Sequence, residues 1–104
     1  MNIVLLYIPC SSHEEGEEIV RHCFDESLIG PATIIPVPHL LKQDSTIKDA
    51  QECVVIVKTL ETHLSFVIEQ LRKMNTQNVP CMVQVLGKSN GRYIQILENQ
   101  LKSV

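Results

Sequence analysis

Cys10 and His13 stand three residues apart, where an apolar run gives way to a glutamate-rich segment. Cys-x-x-His supplies two metal ligands at most, whereas a closed site takes four from one or several chains. The same two side chains also offer a nucleophile and a base. A helix N-terminus behind Cys10 would lower its thiol pKa, but Glu14, Glu15, Glu17 and Glu18 push the other way. The plainer reading is a strand-end cysteine beside an exposed histidine on a first helical turn, and the residue types favour it. Lys58 closes a second apolar run just before a helix start, where an ammonium and free helix amides suit an anion. A strand-end lysine reaching solvent is the simpler account, and a structural pairing of Glu52 with Lys58 is a third. Of the four histidines, His13, His22 and His63 fall on helical segments, where they most simply face water. Nucleophilic or acid–base chemistry needs a nucleophile, a base and an orienting group held together. No such trio is visible, nor a nucleophile elbow, phosphate loop or dinucleotide fingerprint. The chain is therefore expected not to be an enzyme.

Residues 1–104 suffice for one domain with a core of its own. An apolar fraction of 44% and a charged fraction of 20% describe an ordinary globular chain. Aromatics make up only 4% and Trp is absent, so the core must be aliphatic. A net charge of −3, with scattered Lys and Arg, gives no basic patch and so no expectation of nucleic acid. The apolar runs fall far short of the ~20 residues that a membrane helix requires. Cys10, Cys23, Cys53 and Cys81 form no C-x-x-C, and each lies in or beside an apolar run. They read as buried thiols of a reducing compartment, with a disulfide frame as the alternative. An apolar strand beginning almost at Met1 leaves no room for a signal segment. Together these predict a cytoplasmic protein.

Positioning these residues falls to a pattern that runs twice: an apolar β run, an amphipathic helix, another β run. Asn2–Pro9, a helix over Ser12–Leu28 and Ala32–Val37 make the first copy. Cys53–Lys58, a helix over Glu61–Met74 and Cys81–Leu86 make the second. Ser12 and Glu15 fit a capping box. Ile19, Val20, Cys23, Phe24 and Leu28 form one helical stripe, which Gly30-Pro31 is expected to end with a left-handed glycine. Pro36 and Pro38 suit an edge strand. Leu40–Gln51 is a polar stretch whose turn is placed at Asp44-Ser45, the tip of a long hairpin. Tyr93, Ile94, Leu97 and Leu101 recur at helical spacing, as a short terminal helix. Two β-α-β units joined by a hairpin give an α+β, ferredoxin-like antiparallel sheet with both long helices on one face. Because the strands are apolar on both faces, a partner chain is the natural cover for the other.

With that pattern in place, the chain resembles the CutA divalent-cation tolerance family from Ile3 to about Leu86. The resemblance rests on Leu28-Ile29-Gly30-Pro31-Ala32-Thr33-Ile34-Ile35-Pro36, on Glu52 followed by Lys58-Thr59, and on Pro80 and Tyr93. The chain departs from the family at Pro31, where the family has Cys, and at His39, Leu41, Gln43 and Ser45, which replace an aromatic hairpin signature. It departs again at Asn75–Cys81, which lacks the family's His, Tyr and Glu, and at Ile96 in place of Trp. The resemblance implies a homotrimer built by the central hairpin, linked to divalent metal ion response, copper above all, or serving as a scaffold. Other protein partners are left open. It also puts His39 where copies of one histidine converge between subunits, against the alternative of a surface histidine. A subunit cleft would gather His39, Lys58, Asn75 and Gln77 as ligand-binding residues. Cu or Zn would be the ion, with His39, Cys10 and His13 as candidate ligands. The alternative is a small-molecule or nucleotide sensor similar to the nitrogen-regulatory PII proteins, which share the trimeric fold.

Overall fold

The computed structural model describes residues 2–74 and 82–104. Its elements run β1 (Ile3–Cys10), α1 (His13–Asp25), β2 (Ala32–Gln43), β3 (Thr46–Leu60), a 3₁₀ turn (Glu61–His63), α2 (Leu64–Met74), β4 (Val83–Gly87) and α3 (Gly91–Gln100). The strands form one antiparallel sheet in the order β2-β3-β1-β4. This is the ferredoxin-like α+β arrangement. The sequence-predicted positions Asn75, Gln77, Pro80 and Cys81 lie outside the described residues.

Alternation along β1 separates the two sheet faces. Val4, Leu6, Ile8 and Cys10 point under the helices and join Val55, Val57, Val20, Cys23, Val67 and Leu71 in the main core. Leu5 and Tyr7, on the opposite face, remain 36% and 44% exposed, whereas Val4 and Leu6 are at 0%. The terminal helix covers one end of that second face. Ile94, Leu97 and Leu101 pack on Ile3 and Leu60 as a smaller cluster. Beyond α3 the face stays open, with Leu5, Tyr7, Ile35, Val83 and Val85 exposed.

The local signals act largely as their chemistry dictates. The Ser12 hydroxyl accepts the Glu15 amide at 3.1 Å, and the Glu15 carboxylate reaches back one residue further than expected, accepting the Ser11 N–H (3.0 Å) and the Ser11 hydroxyl. The first helix ends at Asp25, short of the expected Leu28, and the left-handed residue is Ser27 (φ 51°), not Gly30. Ser27 N–H donates to the Phe24 carbonyl (2.9 Å) and Leu28 N–H to the Cys23 carbonyl (3.0 Å), a Schellman closure. Gly30 is needed for closeness instead: a Cβ there would collide with Leu97 Cδ2. Thr59, fully buried, donates its hydroxyl to the Leu28 carbonyl at 2.7 Å.

β2 and β3 are longer than the apolar runs suggested, because they keep pairing beyond the core as far as Gln43↔Thr46. Its tip is Asp44-Ser45, as expected, with Asp44 at φ 56°. Lys58 N–H donates to the Pro31 carbonyl at 3.3 Å, and ladder bonding alternates along an antiparallel pair. Pro36 and Pro38 therefore fall at positions where β2 sends no bond to β3, and their missing donors lie on the outer edge.

Candidate functional site

His39 and Glu52 belong to the open face, because β2 residues at odd positions share it with Ile35. Their strands hold them two rungs apart on the same face, at Val37↔Glu52 and His39↔Ala50. The His39 Nδ1 lies 3.3 Å from the Glu52 Oε2, and both side chains are partly exposed. An imidazole nitrogen and a carboxylate oxygen so disposed can share a proton, pair as ions when the ring is protonated, or offer two donors to a divalent ion. Among the described residues, no three His, Cys, Asp or Glu side chains are grouped to hold a metal by themselves.

Cys10 and His13 do not converge. The Cys10 thiol turns into the core and donates to the Ile8 carbonyl (3.5 Å), whereas the exposed His13 Nε2 pairs with Glu17 Oε1 at 2.8 Å. Burial pushes the Cys10 thiol up to about 11, with smaller contributions from Glu15, Cys53 and Glu52. The carboxylates act in the direction their position suggested, but desolvation leads. Burial alone lifts the Cys23 thiol to about 11.

The Lys58 ammonium lies over the Tyr93 ring, 5.4 Å from its centroid, so α3 engages it on the open face. Of the three readings of Lys58, pairing with Glu52 is not made within this chain, where Glu52 meets His39. His63 does not face water as a helical histidine was expected to. It is buried, its Nδ1 2.9 Å from the Thr62 hydroxyl and its Nε2 2.6 Å from the Lys102 carbonyl. With Lys102 N–H donating to the Ser27 carbonyl at 2.8 Å, this ties the C-terminal segment down. Contact with a residue so distant in sequence gives no periodic signal. An open groove of about 330 Å³, lined by Phe24, Ser27, Ile29, Gly30, Pro31 and Gln100, contains none of the predicted ligand-binding or metal-ligand residues.

Comparison with known proteins places the sequence and the fold in one group. A curated relative from Archaeoglobus fulgidus, a divalent-cation tolerance protein CutA, is 26% identical over 80 residues, 77% of this chain and 78% of that protein. Solved CutA1 structures share the fold. The Ehrlichia chaffeensis protein superposes with a TM-score of 0.85 at 21% identity, covering 95% of this chain and 94% of its own. The Oryza sativa protein gives 0.85 at 20% identity over 100% and 97%. The Archaeoglobus fulgidus structure gives 0.82 at 21% identity over 96% and 99%, and is described as a periplasmic divalent cation tolerance protein. That description overturns the expected cytoplasmic location. The physical reason is that Cys10, Cys23 and Cys53 are shielded thiols whatever surrounds the protein, so their burial does not report a reducing compartment. No helix among the described residues is long and apolar enough to cross a membrane. The CutA1 divalent ion tolerance family matches residues 4–100, nearly the whole chain, and to that family this protein belongs.

Proposed function

We propose that this protein acts in divalent-cation tolerance as a non-catalytic homotrimer, with ion contact at the His39–Glu52 pair. The observation that carries the site is the 3.3 Å approach of His39 Nδ1 to Glu52 Oε2 on the open face. One chain offers two donors there, a nitrogen and an oxygen suited to Zn or Cu(II), and a complete set needs water or further copies. The donor chemistry fits a divalent ion in part, and assembly supplies what is missing. Support for assembly comes from the open apolar face, where Leu5, Tyr7, Ile35, Val83 and Val85 have no cover in one chain. The non-catalytic reading is supported by the separation of Cys10 from His13 and by the burial that keeps the Cys10 thiol protonated at neutral pH. Sedimentation in dilute solution tests the assembly, and a stable monomer at micromolar concentration sinks it. Titration with Cu(II) and Zn(II) tests the ion, with His39→Ala as control. Binding weaker than ~100 μM, or unaffected by the substitution, removes the metal role and leaves a scaffold.

A further inference from the structure

Two buried thiols stand opposite one another at the end of the central strand pair. Cys10 and Cys53 are direct partners in the β1–β3 register. Both are free, at 3% and 7% exposure, and both belong to the helix-covered core. Opposed residues of a sheet share a face, so their side chains leave the sheet in the same direction. Glu61 N–H donates to the Asn2 carbonyl at 3.3 Å. Alternation along the register then makes Cys10–Cys53 a hydrogen-bonded pair. The Cα atoms of such a pair stand about 5.5 Å apart, inside the ~4.4–6.8 Å that a disulfide spans. Overhead lies Gly16 of α1, where even a Cβ would be 3.9 Å from Cys10 Sγ, so no side chain of that residue blocks the sulfurs.

We propose that Cys10 and Cys53 form a reversible intrachain disulfide, a redox-responsive staple across the two central strands. The oxidant is a small-molecule disulfide such as oxidised glutathione. Cys53, the slightly less buried residue of the two, loses its proton when local opening admits the oxidant and attacks one glutathione sulfur, giving a mixed disulfide and one glutathione thiolate. Deprotonated Cys10 then attacks the Cys53 sulfur, closing the Cys10–Cys53 bond and expelling the second glutathione. The protein thiols give up two protons and two electrons, and the S–S bond of the oxidant takes both. Burial holds the Cys10 thiol protonated, so closure is slow at neutral pH and quickens as pH rises. A hydrogen-bonded pair also keeps its Cβ atoms wider apart than the ~3.8 Å of a relaxed disulfide. The strands must draw together at Cys10, the last residue of β1. A bond formed under that strain is readily reduced, which suits a response better than a permanent brace.

The test takes the full chain, reduced and then equilibrated over a range of glutathione ratios. Alkylation in denaturant and peptide mapping follow. The expected result is two of the four cysteines protected, a mass loss of two hydrogens, and a Cys10–Cys53 linked peptide that dithiothreitol abolishes. Cys53→Ser should remove the link and Cys23→Ser should keep it, but the wild-type map decides without either. Four alkylatable cysteines at every ratio, or a dominant link between any other pair within or between chains, overturns the proposal.

Discussion

The Thr59 hydroxyl reaches across 31 residues of sequence to donate to the Leu28 carbonyl at 2.7 Å, out of contact with water. Leu28 has just left the Schellman turn, so its carbonyl has no helical partner and this bond satisfies it. Thr59→Val keeps the shape and removes the donor. It should lower stability by about 1–3 kcal/mol, the cost of an unpaired buried carbonyl. Urea midpoints decide it, and a Val variant as stable as wild type would show that the bond contributes nothing net.

Gly30 is set by its neighbour. A methyl group there meets Leu97, which is fully buried and cannot swing into solvent. Gly30→Ala should destabilise by roughly 1–3 kcal/mol through overpacking, although its φ is not left-handed. Pairing it with Leu97→Ala should recover part of the methyl's cost, measured as non-additivity in a double-mutant cycle.

Ser27 holds a left-handed conformation that glycine adopts without penalty. Ser27→Gly should therefore stabilise by about 0.5–1 kcal/mol, seen as a rise in Tm. An unchanged or lower Tm would mean that the serine side chain compensates for its own strain.

Cys10 and Cys23 titrate at about 11 in the folded protein, against the ordinary 9.0. Between those values the unfolded chain has released protons that the folded chain still binds, so stability falls as pH rises. The stabilisation is fully present below pH 9 and is lost toward pH 11, on the order of 2 kcal/mol per thiol. Under reducing conditions, Cys23→Val should flatten the decline, and an equal slope in both proteins would refute the assignment.

Tyr7→Lys puts a charge on the open face while leaving the opposite core untouched. The expected outcome is a folded chain by circular dichroism that sediments as a smaller species than wild type. A variant that still sediments as wild type would move the contact surface elsewhere.

Much of this fold was legible because periodicity reports burial. The apolar runs and the amphipathic segments between them give element type and order, whereas the sorting of Val4, Leu6 and Ile8 from Leu5 and Tyr7 waits for the fold. Where burial stops, the signal stops too: Leu40 to Ile47 have no core beneath them, so the turn at Asp44-Ser45 is legible but the strand pairing that runs up to it is not. Ser27 was missed as the left-handed residue because glycine is the expected one. His63, Lys58 and the Cys10–Cys53 pair depend on register and on a distant tail, which no local window contains. At the candidate site, residue type points to His39, while sequence spacing offers Glu52 only to Lys58. One strand's offset against another decides which carboxylate an imidazole meets.

Pro36 and Pro38 bear on how this chain avoids polymerising. An outer strand of twelve residues, rich in Ile, Val and Leu, is the kind of rim onto which another chain can add strand by strand. Two prolines interrupt its outward row of donors, so a second copy cannot extend the ladder along that rim without losing bonds. Replacing both with residues that carry an N–H would remove that block and open the rim to strand-by-strand growth.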